Sequence, residues 1–192
     1  KLFLLLALLV ATIFMANKAK EVLYSYEFMP LLPEDDPVYV EYQDFLTYFG
    51  QEGNVLVVGF QTDSLFEIEK FNAFYDLNND LEKVAGVEGV VSLLQAHNMV
   101  KNEQTKSFEF VPVCPERVAS QEALKLVKEE YESLPFYENL FYNAESKAYL
   151  MALTLNKKIL SSEERVPLIQ TIEDIINPFS EEINVDVHYS GL

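Results

Sequence analysis

Two histidines, one cysteine and 31 acidic residues are the side chains of this 192-residue sequence best able to act as bases, nucleophiles or metal ligands. His97 and His188 are far apart in the chain, and no nucleophile is placed beside either by spacing, so each reads as a surface histidine rather than a general base. Ser190-Gly191 lacks the preceding glycine of a nucleophile elbow, and no Gly-rich phosphate loop is present. Cys114 sits between Val113 and Pro115 with Arg117 as its nearest base in sequence, a poor setting for a reactive thiolate. Asp76-Leu77-Asn78-Asn79-Asp80 opens like a calcium loop. It fails at the sixth position, where Leu81 replaces glycine, and at the twelfth, where Val87 replaces glutamate. The acid pairs Asp35-Asp36, Glu129-Glu130, Glu163-Glu164 and Glu181-Glu182 are what so acidic a chain contains on solvated faces. Phe71, Phe74 and Tyr75 have helical spacing and read as core. Phe108 and Phe110 fall in a long mixed stretch, where they could line an apolar cleft. No catalytic, cofactor-binding or metal-ligating set emerges, and the expectation is a protein that is not an enzyme and carries no cofactor.

Charge excludes further classes. The net charge is -17, and residues 1–20 hold three lysines and no acid, so the remaining residues carry a net of -20. Nucleic acids and anionic lipid surfaces both need a basic patch, and neither is an expected partner. A single cysteine excludes an internal disulfide, and one cysteine with two histidines excludes a Cys/His-rich structural zinc site.

Leu2 to Ala16 reads LFLLLALLVATIFMA, apolar except for Thr12. Fifteen residues cover only about 22 Å of a hydrocarbon core about 30 Å thick. The chain opens on Lys1, so the expectation is a truncated transmembrane helix over 1–20, with Lys18 and Lys20 at the membrane edge. A signal-peptide core and a buried helix are the alternatives. The sequence Ala16-Asn17-Lys18-Ala19 is a poor cleavage site, and the uniform apolarity around the helix is unlike a core helix.

The elements that follow divide into a linker with a short helix over 21–53 and an α+β domain over 54–192. Leu31–Pro37, LLPEDDP, reads as an exposed linker, with Asp36 capping a helix from Pro37 to about Gly50 lined by Val40, Phe45 and Tyr48. Asn54–Gln61 predicts a strand buried on both faces. Ser64 with Glu67 predicts a capping box opening a helix to about Val84, and Gly86 ends it before a strand over Val87–Leu94. His97–Pro115 is expected to be mostly loop, with a short strand at Phe108–Val113. Ser120 caps a helix carrying Leu124, Val127, Tyr131 and Leu134, which Pro135 ends. Glu138–Tyr142 and Ala148–Leu155 read as a hairpin. Ser161 with Glu164 predicts a second capping box, opening a helix with Val166, Ile169, Ile172 and Ile176 on one face and ending at Pro178. Ile183–Tyr189 alternates like a half-buried strand. Two β-α-β units in tandem predict an α+β fold, a ferredoxin-like split β-α-β sandwich with helices on one face of the sheet.

The order of these features resembles the first extracytoplasmic porter domain of the resistance–nodulation–division superfamily, in its hydrophobe-exporter (MMPL or Patched-like) branch. The likeness rests on the apolar start, Leu32–Pro37, the helix ending Phe49-Gly50, the strand Val55–Phe60, the two β-α-β units and the close on Val187-His188-Tyr189-Ser190-Gly191-Leu192. It implies proton-driven export of lipids or other hydrophobic compounds from the bacterial inner membrane, with residues 21–192 on the periplasmic side. It further implies a multi-pass protein that continues beyond Leu192, a homo-oligomer of the full chain, and partners in the lipid bilayer, the hydrophobic substrate and the rest of the transporter. The proton-relay acids of that family lie within its membrane bundle, outside this sequence. Met99, Phe108 and Phe110 are the candidates for cleft lining. The alternative function is a single-pass, membrane-anchored periplasmic binding or interaction module.

Overall fold

The computed structural model describes residues 2–19, 33, 35–49 and 53–191. Lys20, Gly50, Leu192 and, within the linker, Leu31, Leu32 and Glu34 lie outside the described residues.

Helix α1, Leu2–Ala19, runs 18 residues, longer than the apolar stretch alone. At 1.5 Å per residue it reaches about 27 Å, and by length and composition it can cross a membrane. None of its side chains is buried by the rest of the chain. Helix α2, Pro37–Phe49, starts as expected: Asp36 Oδ1 accepts the Val38 N–H at 2.8 Å. Val40, Phe45 and Tyr48 are exposed.

The main sheet holds β1 (Val55–Gln61), β2 (Val87–Val91), β6 (Ala148–Leu155) and β7 (Val187–Ser190) in the order β2-β6-β1-β7, every neighbour antiparallel. The short strand β5, Tyr142–Asn143, shares the edge of β6 with β2. The two crossovers interleave. Helix α3, Ile68–Glu82, links β1 to β2 across the slot that β6 fills, and α6, Arg165–Ile183, links β6 to β7 across the slot that β1 fills.

Both crossover helices pack on the face that carries Leu56, Val58 and Phe60. Phe60 meets Phe74 of α3 at 5.7 Å and Phe179 of α6 at 5.3 Å between ring centroids, both edge-on. With helices on one face only, β1 is not buried on both faces as its apolar run predicted. Leu56, Val58 and Phe60 are buried, while Val55, Val57 and Gly59 point to the open side with Leu150 and Ala152 of β6.

Neither expected capping box forms. Ser64 precedes a turn instead, its Oγ accepting from Lys70 Nζ at 2.6 Å, and α3 begins four residues later, at Ile68. The first N–H of α3, Ile68, is capped from another element: it donates to Gln121 Oε1 at 2.9 Å, while Gln121 Nε2 donates to the Phe66 carbonyl at 2.9 Å. Ser161 closes a short unpredicted helix α5, Lys157–Leu160, which Asn156 caps. The capping box that does form is Ser92 with Gln95, around a 3₁₀ turn at Leu93–Gln95 that cuts the second strand short at Val91. Helix α6 also departs from expectation. Its buried stripe is Leu168, Ile172, Ile176, Phe179 and Ile183, with Val166 exposed. It runs through Pro178 because the loss of one N–H is outweighed by burying Phe179 and Ile183. Asn184, in the left-handed region at φ 55°, ends it, so the last strand starts only at Val187.

The stretch His97–Pro115 is not mostly loop, and the short strand expected at Phe108–Val113 is present at Phe108–Pro112. It forms an antiparallel ribbon, β3 (His97–Lys101) with β4 (Phe108–Pro112), closed by a turn in which Asn102 Oδ1 accepts from the N–H groups of Gln104 and Thr105. The β-forming residues at 99–100 and 108–111 and an Asn-led turn account for it.

Helix α4, Gln121–Glu132, is capped by Ser120 and buries Leu124 and Tyr131, as expected. The segment before it is fastened to α3 by a buried amide. Asn72 Nδ2 donates to the Val118 carbonyl at 3.0 Å, and the Val118 N–H donates to Asn72 Oδ1 at 3.1 Å. In Asn72→Leu both groups of Val118 lose their partner inside the protein, a loss of about 2–3 kcal/mol. Urea unfolding of the full chain in nonionic detergent measures it, and an unchanged midpoint would refute the fastening role.

Candidate functional site

A cleft of about 620 Å³ opens where the start of α3, helix α4 and the β5–β6 turn converge. The β1–α3 connection contributes Asp63, Ser64, Phe66 and Glu67; α4 contributes Lys128, Tyr131 and Glu132. From the last segments come Glu138, Tyr142, Asn143, Lys147 and Tyr149.

Local rules place each group. Tyr142 and Tyr149 are cross-strand partners, because the turn between them is drawn tight by Asn143. Its Oδ1 accepts the N–H groups of Glu145 and Ser146 at 3.1 and 2.7 Å. Tyr149 lies on the core face of β6 and stacks on Phe60 at 5.7 Å. Tyr131 sits one turn beyond Lys128 on α4, its ring 6.3 Å from that of Phe66. The Tyr131 hydroxyl is buried and has no hydrogen-bond partner among the described residues.

The cleft is amphipathic and carries an excess of acid. Its floor is Leu93, Tyr131 and Tyr149, and its rim holds four carboxylates against two ammonium groups. Lys128 is already engaged: its Nζ lies 3.6 Å from Glu132 Oε1 and 5.6 Å from the Phe66 ring centroid. Glu67 pairs with Lys70 at 3.1 Å. Burial pushes the Tyr149 hydroxyl up to about 12, with Tyr142, Glu132 and Asp63 adding to the shift. The Tyr142 hydroxyl is also raised, by burial and then by Glu138 and Glu132. Three of the four cleft carboxylates, Asp63, Glu132 and Glu138, thus add to the burial that holds these hydroxyls protonated.

The residues singled out from sequence lie elsewhere. Met99 and Phe110 face each other across the β3–β4 ribbon, and Phe108 is on the same side two residues away. They are 54%, 69% and 65% exposed and do not line the cleft. They form an apolar surface on a projecting ribbon, held at its base by Tyr137, whose hydroxyl accepts from the His97 N–H at 2.9 Å and donates to the His97 carbonyl. His97 and His188 belong to different sheets. Cys114 is buried, and desolvation pushes its thiol up to about 11, so it is protonated at neutral pH.

The calcium-like run is split by the helix. Asp76 meets Arg117 at 3.3 Å and Asp80 meets Lys83 at 2.9 Å on the outside, whereas Asn78 turns inward to accept from Ser92 Oγ at 2.9 Å. Among the described residues no three His, Cys, Asp or Glu side chains are grouped to hold a metal ion. Sequence reasoning missed the cleft because its parts come from three separate segments. One signal was available: a Tyr pair seven residues apart astride an Asn-led turn. No protein-family model matches the chain, and no curated protein matches it.

Proposed function

We propose that this chain is the first periplasmic porter domain of a proton-driven exporter of the resistance–nodulation–division type, in the hydrophobe-exporter branch, moving lipids or other hydrophobic compounds out of a bacterial inner membrane. The observation that carries this reading is the interleaved sheet. The strand order β2-β6-β1-β7 with two crossing helices supports reading the domain as a ferredoxin-like split β-α-β arrangement. Its first and last strands are neighbours running in opposite directions, with Val57 opposite Ser190, so the chain leaves the sheet where it came in. A domain inserted between two membrane spans needs that geometry, and α1, able to cross a membrane, precedes it. The domain's role would be mechanical rather than catalytic: to open and close around cargo while other parts of the transporter carry protons. The full protein would work as a homo-oligomer.

A second reading, a single-pass anchored binding module, draws on the exposed Met99, Phe108 and Phe110, since a projecting apolar surface marks an interaction site. Sequencing the gene on both sides of this segment separates the two. An exporter requires further apolar spans beyond residue 192, one of the central ones carrying an Asp or Glu whose amide substitution abolishes proton-coupled efflux. A stop codon directly after residue 192 would sink the exporter and leave the binding module.

A further inference from the structure

We propose that the cleft between the start of α3, α4 and the β5–β6 turn binds an organic ammonium cation, seated against Tyr142 and Tyr149 and faced by the carboxylates of Asp63 and Glu138. The inference rests on the cleft alone and holds for an exporter domain or an anchored binding module.

Three observations converge. First, four aromatic side chains, Phe66, Tyr131, Tyr142 and Tyr149, line a cavity of about 620 Å³, within the range of sites for drug-sized molecules. Aromatic faces attract a desolvated cation through the ring quadrupole, and one cation already exploits this: Lys128 Nζ rests 5.6 Å from the Phe66 centroid. Second, the charge around these rings is unbalanced. Lys128 and Glu132 answer each other, and Glu67 is answered by Lys70, but Asp63 and Glu138 have no ion-pair partner among the described residues. Third, those unanswered acids line the same cleft as the tyrosine pair, and Glu138 forms a backbone bridge to Tyr142. An added positive charge there is stabilised by both, and the -17 charge of the chain draws cations toward the surface.

The same observations weigh against other ligands. An anion would meet four carboxylates, with Lys147 the one cleft ammonium lacking a carboxylate partner among the described residues. A calcium ion needs six to eight converging oxygens, and among the described residues no three His, Cys, Asp or Glu side chains are grouped to hold one. A neutral apolar molecule gains nothing from Asp63 or Glu138.

The test uses the full chain in nonionic detergent, with benzyltrimethylammonium as the probe and benzenesulfonate and benzyl alcohol as anionic and neutral comparisons. The chain has no tryptophan, so tyrosine fluorescence can be followed, and three of its 11 tyrosines line the cleft. Saturable binding of the ammonium probe is expected, weakened by raising salt from about 50 to about 500 mM. Replacing Tyr142→Leu should weaken it about tenfold. The exposed pair Asp63→Asn with Glu138→Gln should weaken it about fivefold, with thermal unfolding as in the parent. If Tyr142→Leu fails to fold, the carboxamide pair decides. Lack of saturation, equal binding of benzyl alcohol or benzenesulfonate, or an unchanged affinity in the carboxamide pair would each overturn the proposal.

Discussion

Phe74→Ala should lower the stability of the domain by about 4 kcal/mol, seen as an earlier urea midpoint for the full chain in nonionic detergent. Phe74 is fully buried in α3 and touches both layers of the fold. Its ring meets Phe60 of β1 at 5.7 Å and Phe179 of α6 at 6.2 Å, and Phe60 meets Phe179 at 5.3 Å. These three rings join the sheet to both crossover helices. Truncation removes the transfer energy of a large side chain and two aromatic contacts, and leaves a cavity that α3 and α6 cannot close without leaving the sheet. Phe74→Leu keeps much of the volume and should lose less than half as much. Equal losses for Ala and Leu would show that the ring contacts, not the filled volume, dominate. A loss below about 1 kcal/mol for Ala would show that the three-ring junction is not what joins the layers.

The parts of this fold legible in the sequence were those set by local, periodic burial. Helical spacing sets Ile68, Phe71 and Tyr75 on one stripe of α3 with Phe74, Leu77 and Leu81 beside it, and Phe71, Phe74, Leu77 and Leu81 are buried while Ile68 and Tyr75 are half-buried. Ser120 and Asp36 cap the helices they were expected to cap. Misreadings arose where a local pattern had a long-range competitor. Ser64 and Glu67 match a capping box, yet Gln121, more than fifty residues on, supplies the cap, and Ser64 turns to Lys70. The apolar run of β1 could not reveal that both crossover helices choose the same face. Pro178 is a helix breaker by its missing N–H, but Phe179 and Ile183 anchor the turn that follows it. The ribbon at 97–112 is only half legible, its strand at Phe108–Pro112 expected and its partner at His97–Lys101 not, because its hydrophobic residues face water on both sides, Val100 and Val111 opposite Met99, Phe108 and Phe110. Without a buried face there is no alternation of polar and apolar residues to detect. The cleft was least legible. Its lining is spread from Asp63 to Tyr149, and only the sheet register places Tyr142 beside Tyr149.

Raising the pH from 8 to 11 should remove about 3 kcal/mol of stability, well before general base damage to the chain. Three buried acids drive this. Burial raises the Cys114 thiol from 9.0 to about 11 and the Tyr149 hydroxyl from 10.0 to about 12, and it raises the Tyr131 hydroxyl well above its ordinary value. Each group binds its proton more tightly when folded. Their contribution is therefore fully present below the unfolded values and is lost as pH climbs toward the folded ones, over pH 9–11 for Cys114 and pH 10–12 for Tyr149. Full conversion of the two quantified shifts at pH 11 would reach about 4 kcal/mol, and water at the cleft rim, beside Tyr149, screens part of it. Tyrosine absorbance near 295 nm separates this from generic alkaline unfolding, since 11 tyrosines and no tryptophan are present. Most tyrosines should ionise gradually, and a last step, from Tyr131 and Tyr149, should coincide with loss of helical circular dichroism. Cys114→Ala should shrink the pH-dependent part of the loss by about 2 kcal/mol, whatever it does to stability at pH 8. A flat stability profile to pH 11, or all tyrosines ionising while the helices persist, would mean that these hydroxyls and the thiol are open to water and that the floor of the cleft is not buried.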